Sequence, residues 1–299
     1  MRRALAVIGA IVLIAMGFAV RSWRAGDPLP GRPTPTEEVG GTIVCVTELS
    51  RFCADLASAN PGLVVITEEA GLTYRTVTAA DFDAERSQID LWLAPAPWAT
   101  MAAEARQRNG APDVLGESTT LARSPLVIVI WQDRLASLQA SCGNEAGWKC
   151  IGDVAGKPWA EVDGAPGVRA GDVRPGIQAV ESSATGLLVA GQASAAYFGR
   201  TDFASQDFDD PGFRSWADQL ASAAQSAGSD RVALDQMLSF GPATFDLAGT
   251  TEAAAALPVT TGRDKDRLRI LYPSPAATAD LALTPVSSST RAERLSELL

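Results

Sequence analysis

An unbroken apolar run, Ala4 to Val20, follows Met1-Arg2-Arg3, after which Arg21, Ser22, Trp23 and Arg24 restore polarity. As a helix these residues rise about 26 Å, slightly short of a hydrocarbon layer of about 30 Å. Residues 1–24 therefore read as a signal anchor or a signal peptide, with Gly17-Phe18-Ala19 and Ala15-Met16-Gly17 offering small residues for cleavage. No Cys ends the run, which disfavours a lipoprotein anchor. Residues 25–41 are rich in Pro and Gly with no apolar period, and read as a semi-extended spacer.

Beyond the spacer, short β-branched runs alternate with helical periods. Thr42–Val46 is a strand, followed by a helix in which Leu49, Phe52, Cys53 and Leu56 recur on one face. Gly62–Glu68 is a second strand. Thr78 reads as a helix N-cap with Asp81 at the third helical position, and a third strand covers Ile89–Ala94. Pro95 and Pro97 break that strand and a helix starts at Trp98. Leu126–Trp131 is a continuous apolar strand. The alternation then begins again: a weak strand at Gly167–Gly171, an apolar helix at Gly186–Phe198, and a helix after Pro211 with Phe213, Trp216, Leu220 and Ala224 on one face. Phe245–Ala248 is a strand turning into a helix near Thr251. Strands at Arg267–Pro273 and Ala279–Val286 precede a C-terminal helix. This order predicts an α/β fold of two units built on mostly parallel sheets, entered once and left once.

Composition narrows the chemistry. The 299 residues carry 25 basic and 35 acidic side chains, for a net charge of -10, and no histidine. The first 24 residues hold four Arg and no acid, so the remainder carries -14. Without imidazole there is no Ser-His-Asp or Cys-His pair and no His-ligated zinc. The acidic balance argues against a nucleic-acid partner, since phosphate binding needs a basic field. The chain also lacks a P-loop, a G-x-G-x-x-G and a G-x-S-x-G. Asp207, Asp209, Asp210 and the Gly262–Arg267 segment lack calcium-loop spacing, so no metal and no cofactor is expected.

The four cysteines fall as Cys45 with Cys53 and Cys142 with Cys150, each pair enclosing seven residues, neither at a redox or zinc spacing. Three connectivities are open, and four buried thiols are the alternative. The local pairings are favoured, because residues 142–150 read as a loop that a bridge would staple.

Three strings carry a resemblance. Leu121–Trp131 (LARSPLVIVIW) resembles the strand that crosses between lobes in the extracellular solute-binding proteins of ABC transporters, with a type 2 periplasmic-binding fold. Glu181–Gly191 resembles that family's Ser-x-Ser-Gly-Leu helix start, with Ser183, Thr185 and Gly186 in the matching places. Met237–Leu257 with Leu268–Val286 resembles the branch often joined to a von Willebrand factor type A domain, although Thr251 stands where that branch has Tyr. The resemblance implies one lobe from 42–130 plus 274–299 and a second from 131–273. It also implies a small-molecule solute held between them, where strands end and helices begin. Helix N-termini there offer unpaired N–H donors, and hydroxyls supply adjustable bonds. The candidate ligand-binding residues are Thr47, Glu48, Ser50, Ala96, Trp98, Ser183, Thr185 and Thr251. Helix capping serves equally at the threonines and serines, first-turn dipole complementation at Glu48 and packing at Trp98.

Three readings compete: a membrane-tethered, extracytoplasmic receptor for an ABC permease, an interaction module partnering a von Willebrand type A or other membrane protein, and an enzyme. No residue constellation supports the enzyme, so none is expected. An apolar or filled cleft would favour the interaction module over the receptor. Mass spectrometry of non-reduced peptides should find Cys142 joined to Cys150; free thiols there would count against export.

Overall fold

The computed structural model describes residues 40–143, 146–162, 171–224, 232–286, 292 and 295–296. The anchor or signal segment, most of the spacer, Gly167–Ala170 of the weak strand and most of the C-terminal helix lie outside the described residues. Among the described residues no helix is long and apolar enough to cross a membrane.

Strand β1 (Gly41–Val46) leads through a 3-10 turn (Thr47–Leu49) into α1 (Ser50–Ala59) and β2 (Leu63–Glu68). Helices α2 (Ala70–Thr78) and α3 (Ala84–Ser87) precede β3 (Leu91–Pro95), which runs directly into α4 (Ala96–Arg108). The chain crosses on β4 (Thr119–Trp131). Then come α5 (Gln132–Cys142), α6 (Trp148–Val154), α7 (Trp159–Val162), β5 (Pro175–Gly176), α8 (Ala184–Phe198), α9 (Pro211–Ala223) and α10 (Ala233–Phe240). Finally β6 (Leu247–Thr251), α11 (Glu252–Thr260) and β7 (Leu268–Leu271) lead to β8 (Thr278–Pro285).

The strands join in the order β2-β1-β3-β8-β4-β6-β5, with β7 also paired to β4. The sheet is mixed, which corrects the expectation of mostly parallel sheets. Parallel pairing holds at the outer strands, β1 with β2 and β3, and β5 with β6. The centre is antiparallel because β8 returns beside β3 and β4, and β6 and β7 both run against β4. β4 divides its length: Thr119–Pro125 pairs with β8, and Leu126–Trp131 pairs with β6 on one edge and β7 on the other. Its first part belongs to a half containing β1–β3 and its second part to a half containing β5–β7.

Side chains alternate across the pleat, so both faces of each central strand need cover. Val44 and Val46 pack with Trp92, Trp98 and Ala102, whereas Ile43 and Cys45 pack with Cys53, Leu283 and Leu295 on the opposite face. On β4, Ile128 and Ile130 join Trp148, Ile151 and Trp216, while Val127 and Val129 join Leu234, Met237 and Phe245. This two-sided cover is why Leu126–Trp131 shows no polar alternation.

Cys45 on β1 is bonded to Cys53 on α1, and Cys142 to Cys150. Two local readings are corrected. Thr78 ends a helix rather than starting one: its hydroxyl donates to the Tyr74 carbonyl at 2.7 Å, and Ala79 is extended. The strand expected at Phe245–Ala248 begins at Leu247, because Phe245 and Asp246 turn into the core first.

Asp246 holds the second half together. Its carboxylate accepts from Arg134 Nε at 2.7 Å, Trp159 Nε1 at 3.1 Å and the Arg174 backbone N–H at 2.9 Å. The acid side chain is 2% exposed and that of Arg134 10%. Burial pushes the carboxyl above its usual value, and these three donors only partly offset it. The folded state therefore keeps its proton at pH values where the unfolded chain has lost it. The contribution of Asp246 to stability falls as pH rises through that window above 3.8. Asp246→Ala strands a buried guanidinium, so urea unfolding near neutral pH should show a loss of about 3–5 kcal/mol. An unchanged midpoint would remove Asp246 from this role.

Candidate functional site

The 3-10 turn after β1 faces the start of α8, across the boundary between the halves. Ser183 is the N-cap of α8, and its hydroxyl accepts from the Gly186 N–H at 2.9 Å. The same hydroxyl donates to Glu48 Oε1 at 2.6 Å, and the Thr185 backbone N–H donates to that oxygen at 3.1 Å. Thr47 Oγ1 donates to the second carboxylate oxygen at 3.2 Å. Glu48, from the first half, thus occupies the helix N-terminus of the second, where unpaired N–H groups and the partial positive charge favour an anion.

A backbone bond closes the same seam: Gly71 N–H of α2 donates to the Ser182 carbonyl at 3.0 Å. A Cβ at Gly71 would lie 2.0 Å from the Glu181 carbonyl oxygen, so this approach requires glycine. Beneath these polar contacts, Ala184 and Leu187 of α8 pack into the apolar cluster of the first half with Trp92, Trp98 and Tyr74. Trp98 is 3% exposed and meets Tyr74 edge to face at 5.9 Å. It is a packing anchor under the seam, not an exposed lid. The indole N–H groups of Trp92 and Trp98 are buried without a partner among the described residues.

A second group gathers where β6 enters α11. Thr251 caps α11 by accepting from the Ala254 N–H at 3.3 Å, and Ser124 of β4 accepts from the Ala253 N–H at 3.0 Å. The Tyr272 hydroxyl donates to Glu252, and this bond pushes the phenol above its usual pKa.

The structure therefore brings Thr47, Glu48, Ser183 and Thr185 together, and places Thr251 in a separate capping group. Among the described residues no hydrogen bond joins the two groups. Ser50 is exposed at the start of α1, and Ala96 is half-buried at the start of α4. Gly71 and Ser124 were not legible as site residues, and Ser182 fell in the turn before α8 without being singled out. Gly71 and Ser182 act through backbone, and Ser124 reaches α11 only because β4 pairs with β6.

No protein-family model and no curated protein sequence matches the chain. Solved structures do. An ABC transporter solute-binding protein from Agrobacterium vitis S4, with bound D-mannitol, matches with a TM-score of 0.56 at 14% identity, covering 87% of this chain and 71% of that one. The periplasmic binding protein AfuA from Actinobacillus pleuropneumoniae, with fructose-6-phosphate bound, matches at 0.53 and 12% identity, covering 85% and 76%. The chain has a type 2 periplasmic-binding-protein-like fold. The regulatory domain of OxyR2 from Vibrio vulnificus is similar at a TM-score of 0.48 and 12% identity, covering 89% of this chain and 96% of that one.

In this fold the Glu48 contacts form a bridge between halves. Removing the carboxylate leaves the Ser183 hydroxyl and Thr185 N–H without their acceptor. A double-mutant cycle of Glu48→Ala and Ser183→Ala should give a coupling of about 1–3 kcal/mol in denaturant unfolding. Additive losses would show that the bridge contributes nothing.

Proposed function

We propose that the protein is a non-catalytic, extracytoplasmic binding domain that captures a small polar solute between its two lobes, 42–130 with 274–299 and 131–273. The observation that carries this reading is the Glu48 carboxylate seated on Ser183 and Thr185. It shows the chemistry the seam offers: a hydroxyl and a helix-end N–H converging on one oxygen. A solute oxygen reaching α8 replaces Glu48, and the lobes part and close again around it. The similarity to proteins solved with mannitol and with fructose-6-phosphate supports polar ligands as a class. Two disulfides suit an oxidising compartment. Membrane tethering by residues 1–24 and delivery to an ABC permease complete the proposal.

A second reading has its own observation. The seam is filled by Glu48 and by Ala184 and Leu187 packed against the first half, as expected of an interaction module whose lobes stay shut. In that reading a von Willebrand type A or other membrane protein is the partner. A thermal-shift panel of sugars, polyols, amino acids and oxyanions, paired with solution scattering on the full chain, separates the two. The receptor reading expects at least one solute to raise the melting temperature and change the scattering radius. Silence across the panel leaves the interaction module.

A further inference from the structure

Away from the Glu48 seam, α1 and the second half line an open cavity of about 520 Å³. The first half supplies Arg51, the second residue of α1. The second half supplies Leu238 of α10, Leu257 and Pro258 of α11, and the turn that carries Arg263 and Asp264. Three of these residues are apolar, and Leu257 is 61% exposed, so the wall is a hydrocarbon surface open to solvent.

The charges around it are unbalanced. Arg51 is exposed and has neither a hydrogen bond nor an ion pair among the described residues. No acid stands in the first turn of α1. Arg263 Nε lies 3.4 Å from one oxygen of Asp264, while Arg267 Nη1 takes the other at 3.1 Å. One carboxylate thus serves two guanidinium groups, and the terminal nitrogens of Arg263 make no hydrogen bond among the described residues. At the end of α11 the Leu257 carbonyl accepts from the Thr261 and Gly262 N–H groups and the Thr261 hydroxyl. In a chain of net charge -10, two guanidinium groups from opposite halves border one cavity with a single, shared counter-charge.

We propose that this cavity binds a small organic anion, its carboxylate or phosphate held between Arg51 and Arg263 and its apolar body against Leu238, Leu257 and Pro258. The planar guanidinium fork matches both oxyanions and pairs with them bidentately. The site is formed while Glu48 still holds the seam, so occupancy needs no opening there and goes beyond solute capture at α8.

Benzoate, phenyl phosphate and neutral benzyl alcohol, titrated calorimetrically into the full chain, test this. Benzoate or phenyl phosphate should bind, and whichever binds more tightly identifies the headgroup as carboxylate or phosphate. Benzyl alcohol should not bind. Arg51→Gln and Arg263→Gln should each weaken binding about tenfold or more, and Arg51→Lys should restore part of the loss. Arg86→Gln, at an exposed pair outside the lining of the cavity, should change nothing. Circular dichroism would confirm that each variant is folded. Binding of neither anion, equal binding of benzyl alcohol, or unchanged affinity in both glutamine variants overturns the proposal. If another solute changes the scattering radius while these anions fail, the cavity site falls and the α8 reading stands. Arg51-dependent anion binding while no solute of the panel changes the radius does the reverse.

Discussion

One strand, Thr119–Trp131, belongs to both halves of the molecule, and the rest of the architecture is arranged around it. Its first residues are hydrogen-bonded to β8 and its last to β6 and β7, so it joins the strands of the two halves into one sheet. From Leu126 onward both faces are covered by helices, and every side chain from Val127 to Ile130 is fully buried. Burial on two faces makes this segment costly to shift, since a slip of one residue moves each side chain into the opposite core. The register Leu126 to Thr251 consequently places the start of α11 at the crossing, within reach of Ser124.

Each half then solves its own packing problem. The second half buries a charged pair, Arg134 with Asp246, and pays for it with further hydrogen bonds from Trp159 and Arg174. A carboxylate so placed is sustained only by good geometry, because desolvation opposes the charge. The first half uses apolar contacts instead, with Trp92 and Trp98 packed into a cluster that extends over the boundary to Ala184 and Leu187 of α8. The boundary is therefore partly core, with Glu48 at its polar edge.

This arrangement changes the meaning of the hydroxyl-rich helix starts. Ser183 caps its own helix and bridges to Glu48 at once, since a hydroxyl accepts and donates together. Thr251 only caps. Hydroxyl residues at the starts of two helices serve different ends, and the difference lies in what stands opposite.

Much of this was legible in the chain. Hydrophobic periodicity located β1–β3, the apolar part of β4 and β6–β8, but not Thr119–Pro125 of β4 or the two-residue β5, and the paired cysteines pointed to local bridges. These are local properties, set by the spacing of apolar side chains and by the short reach of a loop. The lack of histidine and the negative charge likewise narrowed the chemistry before any fold was considered. Tertiary structure decided whatever depends on two distant segments meeting. Strand direction at the centre of the sheet followed from where β8 returns, which no local pattern encodes. Glu48 and Ser183 are 135 residues apart, and their bond exists because β4 and β8 hold the halves in one orientation. Nothing in the local sequence around Arg51 singles it out, and only the approach of α11 makes it the wall of a cavity. Side-chain spacing specifies the elements, and the sheet that joins them sets which side chains meet.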